Sequence, residues 1–186
     1  MHFSIDEEHG IVAFKKSLYA QMNILLDFFP ASVSSHLRFN TILTGGAIAS
    51  KMHMENPNDF DLYFKDDSSL MSFKQFIKQE NGFHKYIKDV VEKYIEVEIE
   101  GKLLTANAVT FKNGVQVILL QSCESREYFD FVHCMPWYDI SNNKLHISRR
   151  QYDAIKNKKL IDNPKRVGVP IAKKRVQKYI SRGWKY

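Results

Sequence analysis

The sequence predicts a mixed α/β (α+β) fold, and three observations carry that expectation. Apolar residues recur at helical spacing from Ile11 to Phe29 and again from Leu70 to Ile77. Short runs rich in β-branched and aromatic residues, such as Phe60 to Phe64 and Val115 to Leu120, read as strands. Asn113-Gly114 between two such runs is a strong two-residue hairpin signal. Strands interspersed with helices imply a mixed sheet covered by helices.

Each element has a local reason. In Ile11 to Phe29, the residues Val12, Phe14, Leu18, Met22, Leu25 and Phe29 fall near one helical face, and Pro30 stops the run. Phe39 to Leu43 is a short apolar run ending in Thr44-Gly45-Gly46. Ala47 to Met54 reads as one or two helical turns, and Asn56-Pro57-Asn58 as a loop. Asp66 to Ser69 opens a helix whose apolar face is Leu70, Phe73, Phe76 and Ile77. A shorter helix is expected over Phe83 to Tyr94, then strands at Tyr94 to Ile99 and Leu103 to Phe111. Phe129 to Trp137 and Lys144 to Ser148 read as a further strand pair. Arg149 to Asn157 reads as a helix, and a Pro/Gly-containing stretch spans Asp162 to Pro170. A basic amphipathic helix, Ile171 to Ser181, closes the chain. The expected organisation is one domain over 1–162 with a basic helical extension, 163–186, packed on it.

Charge is unevenly placed. The 186 residues carry a formal net charge of +6. From Lys144 to Tyr186 there are fourteen Lys and Arg against only Asp153 and Asp162, a net +12, whereas the first 143 residues carry −6. A basic segment of this kind suits a polyanionic partner. Lys173, Lys174, Arg175, Lys178 and Arg182 surround the apolar stripe of the last helix and are the candidate nucleic-acid contacts. No apolar run approaches the roughly 18–20 residues of a membrane span, and no membrane partner is expected. The N-terminus shows no secretion pattern, so a cytoplasmic location is expected, with Cys123 and Cys134 reduced. Cys123, His133, Cys134 and His146 lack the paired short intervals of a zinc site.

The chemistry concentrates in Thr44-Gly45-Gly46-Ala47-Ile48-Ala49-Ser50 and Asn58-Asp59-Phe60-Asp61-Leu62-Tyr63-Phe64. Paired glycines between a strand and a helix let backbone N–H groups approach a phosphate. Asp59 and Asp61 are two apart, so strand alternation aims both side chains at one face. Two adjacent carboxylates repel each other, and a hard divalent cation, Mg²⁺ or Mn²⁺, relieves that repulsion while bridging to nucleotide phosphates.

Gly45-Gly46, with Asp59-Phe60-Asp61 beginning 13 residues after Gly46, resembles the nucleotidyltransferase signature of the DNA polymerase β superfamily. The spacing is most similar to the head domain of CCA-adding enzymes and bacterial poly(A) polymerases. The resemblance implies a nucleotidyltransferase fold. It implies that Gly45 and Gly46, with Ser50 and Lys51 on the following turn, bind an NTP substrate, and that Asp59 and Asp61 bind the catalytic metal. Phe129 to Cys134 together with Lys178 to Trp184 is similar to small phage-encoded proteins described only as nucleotidyltransferases, which implies the host cytoplasm. The CCA-adding Arg-Asp is replaced by Ala49 and Ser50, and the chain is too short for the RNA-holding body of those enzymes.

The superfamily also uses a third carboxylate on a later strand. By chain order that position falls to Gln116, which cannot act as a base, or to Asp130 on the next expected strand. With Asp130 in the site, the expected activity is metal-dependent transfer of a nucleotidyl group from an NTP to a hydroxyl or phosphate acceptor. An RNA 3′ end is the natural candidate given the basic segment, and a protein acceptor stays open. With Gln116 there, the alternative is a catalytically degenerate fold acting as a nucleic-acid-binding or virion-associated protein.

Overall fold

The computed structural model describes residues 9–79, 83–91, 96–99, 102–105, 108–120 and 123–186. The chain opens with helices α1 (His9–Leu26) and α2 (Ala31–Asn40), then strand β1 (Thr41–Thr44), helix α3 (Gly46–Met52), strand β2 (Phe60–Phe64) and helix α4 (Asp67–Gln79). Strands β3 (Ile87–Val91), β4 (Glu96–Ile99), β5 (Lys102–Thr105), β6 (Ala108–Phe111), β7 (Val115–Ile118), β8 (Trp137–Asp139) and β9 (Lys144–His146) follow. Helices α5 (Arg149–Lys156) and α6 (Lys173–Ile180) complete the mixed α/β fold.

Seven strands form one sheet in the order β3-β6-β7-β2-β1-β8-β9, and β4 and β5 pair as a separate hairpin. Within the large sheet only β2 and β7 run parallel; the other neighbours are antiparallel. Alternation on β2 is clean. Phe60, Leu62 and Phe64 are buried in the main core, while Asp61 and Tyr63 point to the other face. That core joins α1, α2 and α4 to the sheet through Leu18, Met22, Leu37, Phe73, Leu43, Val117 and Tyr138 among others. A second, smaller core gathers Ala49 of α3, Ile155 of α5, Phe131, Cys134, Leu160, Tyr179 of α6 and Trp184.

Local chemistry explains the ends of several elements. Asp66 accepts from the Ser69 backbone N–H at 2.7 Å and opens α4. Ser148 and Gln151 form a reciprocal capping box at the start of α5. Gly114 takes φ +86° in the β6–β7 hairpin, a conformation that favours glycine.

The structure departs from the expected elements in four places. Residues 31–40, for which the apolar pattern suggests no element, form α2, so Phe39 lies on a helix and is exposed. Of the helix expected over Phe83 to Tyr94, a short 3-10 turn covers Phe83–Tyr86 and β3 takes over, where β-branched Ile87, Val90 and Val91 suit a strand; residues 92–94 lie outside the described residues. The single strand expected from Leu103 to Phe111 is divided between β5 and β6. Phe129 to Trp137 is not one strand. Phe131 makes an isolated bridge to Asp162, Val132–Cys134 is a 3-10 turn, and β8 begins only at Trp137. No described helix is long and apolar enough to cross a membrane.

Candidate functional site

One cleft gathers the distinctive residues. Gly45, Gly46 and Ser50 line it together with Asp59, Asp61 and Tyr63 and with Arg175, Lys178, Tyr179 and Arg182 of the C-terminal segment. Its volume is about 90 Å³, against the roughly 300–1,000 Å³ of clefts that hold a whole small-molecule ligand. It therefore has room for a phosphate group or a hydrated ion, and a larger ligand would extend beyond it.

The acidic lining follows from β2. Asp61 and Tyr63 alternate with the buried Phe60, Leu62 and Phe64, so both turn away from the main core. Asp59 precedes the strand and also faces the cleft. Burial, then the neighbouring Asp59 charge, pushes the Asp61 carboxyl up to about 7, while Lys178 and Arg175 pull it the other way. A carboxylate held this high by crowding and desolvation is the kind of group a cation relieves. Two hard oxygen donors fit Mg²⁺ or Mn²⁺, whose other positions water and phosphate oxygens commonly fill. Among the described residues no cluster of three or more His, Cys, Asp or Glu could complete an all-protein cage.

The glycines have a steric reason to be there. Gly45 takes φ +87°, and a Cβ on it would stand 2.8 Å from Asp61 Oδ2. Its backbone N–H donates to the Cys134 carbonyl at 3.1 Å, so this donor is already engaged. A Cβ on Gly46 would meet Tyr179 Oη at 3.3 Å. The pair thus lets β2 and α6 close against the turn between β1 and α3. Ser50 is buried beside them, its carbonyl accepting from Glu55 N–H at 2.9 Å. Lys51 is not among the residues that line the cleft.

The C-terminal wall is held by the second core. Tyr179 Oη lies 3.1 Å from Cys134 Sγ, and Trp184 packs at a tilt against His133 with ring centroids 3.9 Å apart. Lys158 Nζ donates to the Arg182 carbonyl at 3.1 Å. Arg182 donates to Asn58 Oδ1 at 3.2 Å. Arg175, Lys178 and Arg182 consequently reach the cleft, whereas Lys173 and Lys174 do not line it and stand exposed on α6.

The two candidates for a third carboxylate position separate clearly. Gln116 on β7 is the direct register partner of Asp61. Its amide donates to Thr110 Oγ1 at 2.7 Å. Asp130, expected on a strand, sits instead on a bend before the Phe131 bridge and is buried. Arg166 Nη1 approaches its Oδ1 at 3.1 Å and Arg175 Nε holds its Oδ2. It does not line the cleft; its visible work is to hold Arg175.

Sequence reasoning misses Tyr63, Phe129, Cys134 and Tyr179 as lining residues. Tyr63 is accessible by alternation, two residues after Asp61. Tyr179 falls on the apolar stripe of the last helix, and only its hydroxyl contact with Cys134 reveals its place.

A family model described as "Gabija anti-defense 2 family protein" matches residues 13–158. No curated protein matches the chain. Among solved structures it is similar to the Thermotoga maritima CCA-adding enzyme complexed with tRNA, at 11% identity and a TM-score of 0.44. That match covers 78% of this chain and 36% of the enzyme, so the chain spans about a third of that protein's length.

Proposed function

The chain belongs to the Gabija anti-defense 2 family, and from that premise we propose that it counters Gabija defence as a metal-dependent nucleotidyltransferase. It would transfer a nucleotidyl group from an NTP to an oxygen acceptor in the phage-infected host. The observation that carries this reading is that Asp59 and Asp61 line one cleft with Arg175, Lys178 and Arg182. Carboxylates that take a cation and cations that take phosphates are both needed to hold a triphosphate.

The residues divide the work. Asp59 and Asp61 would hold Mg²⁺ or Mn²⁺, which when bound neutralises charge on the reacting phosphates. Gly45 and Gly46 keep the turn free of side chains that would strike Asp61 Oδ2 and Tyr179 Oη. Arg182 would take negative charge as pyrophosphate leaves. Asp130 orients Arg175 toward the same charge. Tyr63 and Phe129, with ring centres 5.7 Å apart, line the cleft as an aromatic pair.

A second reading has its own observation. Gln116 beside Asp61 is what a degenerate, binding-only descendant would carry. One experiment separates the two. The protein is incubated with Mg²⁺ or Mn²⁺, each α-labelled NTP, and host lysate with and without the Gabija proteins. Label transferred by wild type and lost by more than ~100-fold in Asp59→Ala/Asp61→Ala, the scale of a removed electrostatic catalyst, supports the enzyme. Equal anti-Gabija protection by both proteins in infected cells, without label transfer, would establish the binding module.

A further inference from the structure

We infer that the acceptor is an oxygen already ionised at neutral pH, the terminal phosphate of a nucleic-acid strand, rather than a neutral hydroxyl. This rests on the nucleotidyl-transfer reading and specifies its substrate class.

The argument starts from the row of residues across the sheet. Paired residues on neighbouring strands point to the same face. On the cleft face, Thr44, Asp61, Gln116 and Thr110 stand side by side on β1, β2, β7 and β6. A hydroxyl acceptor must lose a proton as it attacks, and the base that takes it has to stand beside the carboxylate pair. The neighbouring position holds Gln116, a neutral amide already donating to Thr110. Among the described residues the next acid by register is Asp89 on β3, whose partner is Thr110. Its position lies three strands from Asp61, about 14 Å at the ~4.8 Å strand spacing. Asp130 has both oxygens occupied by Arg166 and Arg175. His133 does not line the cleft and is sealed between Phe131, Tyr179 and Trp184. Asp59 and Asp61 are the groups that would hold the divalent cation.

A phosphate monoester needs no such base. Its second ionisation lies near pH ~6, so an ionised oxygen is present at pH 7. That oxygen attacks the α-phosphorus of the NTP and forms a new P–O–P bond. The bond from the α-phosphorus to the bridging oxygen of the β-phosphate breaks, and pyrophosphate leaves with the electron pair. No proton leaves the acceptor, and the product is a phosphoanhydride.

The cleft is also built to receive an anion. Arg175, Lys178 and Arg182 line it, and with Arg175 and Arg182 turned to the triphosphate, Lys178 is left for the acceptor's phosphate. Lys178 has no ion-pair partner among the described residues. The exposed Lys173 and Lys174 continue the positive charge along α6 away from the cleft. That continuation favours a strand whose further phosphates follow the helix.

The test uses the full chain, Mg²⁺, α-labelled NTPs and three otherwise identical oligonucleotides, ending in a 5′-phosphate, a 3′-phosphate or hydroxyls alone. Label should enter a phosphate-ended strand at least ~100-fold faster than the hydroxyl strand, the low end of what a missing general base costs. The product should resist alkaline phosphatase and release labelled nucleoside monophosphate to a pyrophosphohydrolase. Gln116→Glu should raise transfer to the hydroxyl strand at least ~10-fold, with a thermal melt to show that it is folded. Without metal or NTP, the phosphate-ended strand should bind several-fold more tightly than the hydroxyl strand, and Lys178→Ala should erase that difference. Comparable labelling of the hydroxyl strand, in a product that resists pyrophosphohydrolase, overturns the inference and leaves the enzyme reading intact. So does labelling of a phosphopeptide in place of any oligonucleotide. Absence of transfer to every strand and to lysate alike removes the enzyme reading itself and this inference with it.

Discussion

The two cores of this protein are built on different principles. The main core is aliphatic and aromatic throughout, joins α1, α2 and α4 to the sheet, and contains residues from 11 to 145. The second core is small, rich in aromatic rings, and gathers residues from Ala49 to Trp184. It also borders polar groups that an apolar core would exclude, including the buried His133 and the Cys134–Tyr179 contact. The main core makes the sheet, and the second core brings the basic C-terminal segment to the sheet's carboxylates. Fold stability and the assembly of the cleft therefore rest on separate sets of side chains.

The largest expected effect tests that separation. Phe111→Ala empties a fully buried site in the main core, at a cost of ~3–5 kcal/mol and a fall in Tm of roughly 10 °C. Trp184→Ala removes a buried ring of the second core and should act locally. Hydrogen exchange is expected to rise through α6 and the last residues while α1 stays protected. Nucleotide affinity should fall at least ~10-fold because Arg175, Lys178 and Arg182 leave the cleft. If Trp184→Ala instead lowers the global melt as far as Phe111→Ala does, the two cores are one cooperative unit.

The same division explains what can be read from the sequence. The main core follows periodic patterns of 3.6 and 2, so α1, α4, β2 and the β6–β7 hairpin are all visible in the order of apolar residues. Helix α2 is not. Its Ser34, Ser35 and His36 are indifferent helix formers, and packing of Val33 and Leu37 under the sheet decides the matter. Asp59, Asp61 and the glycines are legible because backbone geometry places them, through strand alternation and a tight turn. The C-terminal wall is only half legible. Sequence can nominate Lys178 and Arg182 as basic, but their arrival in the cleft with Asp61 depends on Tyr179 and Trp184 docking against Cys134 and His133, far earlier in the chain. Asp130 shows the limit most plainly. Its neighbours read as a strand, and only the fold reveals two guanidinium groups on its carboxylate.

A smaller effect probes the boundary between the cores, where Asp61 lies back to back with the main-core Leu62 and under α6. Its folded-state pKa, about 7, lies above the usual 3.8. The stability linked to this group is therefore present below about pH 4 and is lost as pH rises through 7. At pH 8 the protein carries the full cost of an ionised, crowded carboxylate. Asp61→Asn should consequently be more stable than wild type at pH 8, by ~2–4 kcal/mol, since each pH unit between the folded and unfolded values is worth ~1.4 kcal/mol. At pH 4 the two should be close. Mg²⁺ should raise the wild-type Tm more at pH 8 than at pH 6, because the proton and the metal compete for the same oxygens, and it should leave Asp61→Asn unmoved. Thermal melts at three pH values with and without Mg²⁺ provide the measurement. A wild-type protein that gains stability from pH 6 to 8 relative to the variant would contradict the proposed crowding.

The smallest effect concerns His133, a polar ring sealed against the second core. Neither nitrogen of His133 has a hydrogen-bond partner among the described residues. Burial, then the nearby Arg175 charge, pulls its pKa from 6.5 to about 3. For a base depressed in the folded state, stability is complete above about pH 6.5 and is lost as pH falls toward 3, because the unfolded chain takes up the proton first. Acid should therefore loosen the second core before the first, and Trp184, packed against this ring, should report it by a fluorescence change below about pH 5. His133→Phe keeps an aromatic ring between Phe131 and Trp184 and removes the two unpaired nitrogens. Deleting buried polar atoms that have no partner should stabilise the protein by ~1–2 kcal/mol at pH 7 and flatten the acid transition. A variant less stable than wild type at pH 7, with the transition unchanged, would mean that His133 is satisfied by a group such as a buried water, and that the second core is better matched to its polar atoms than its geometry indicates.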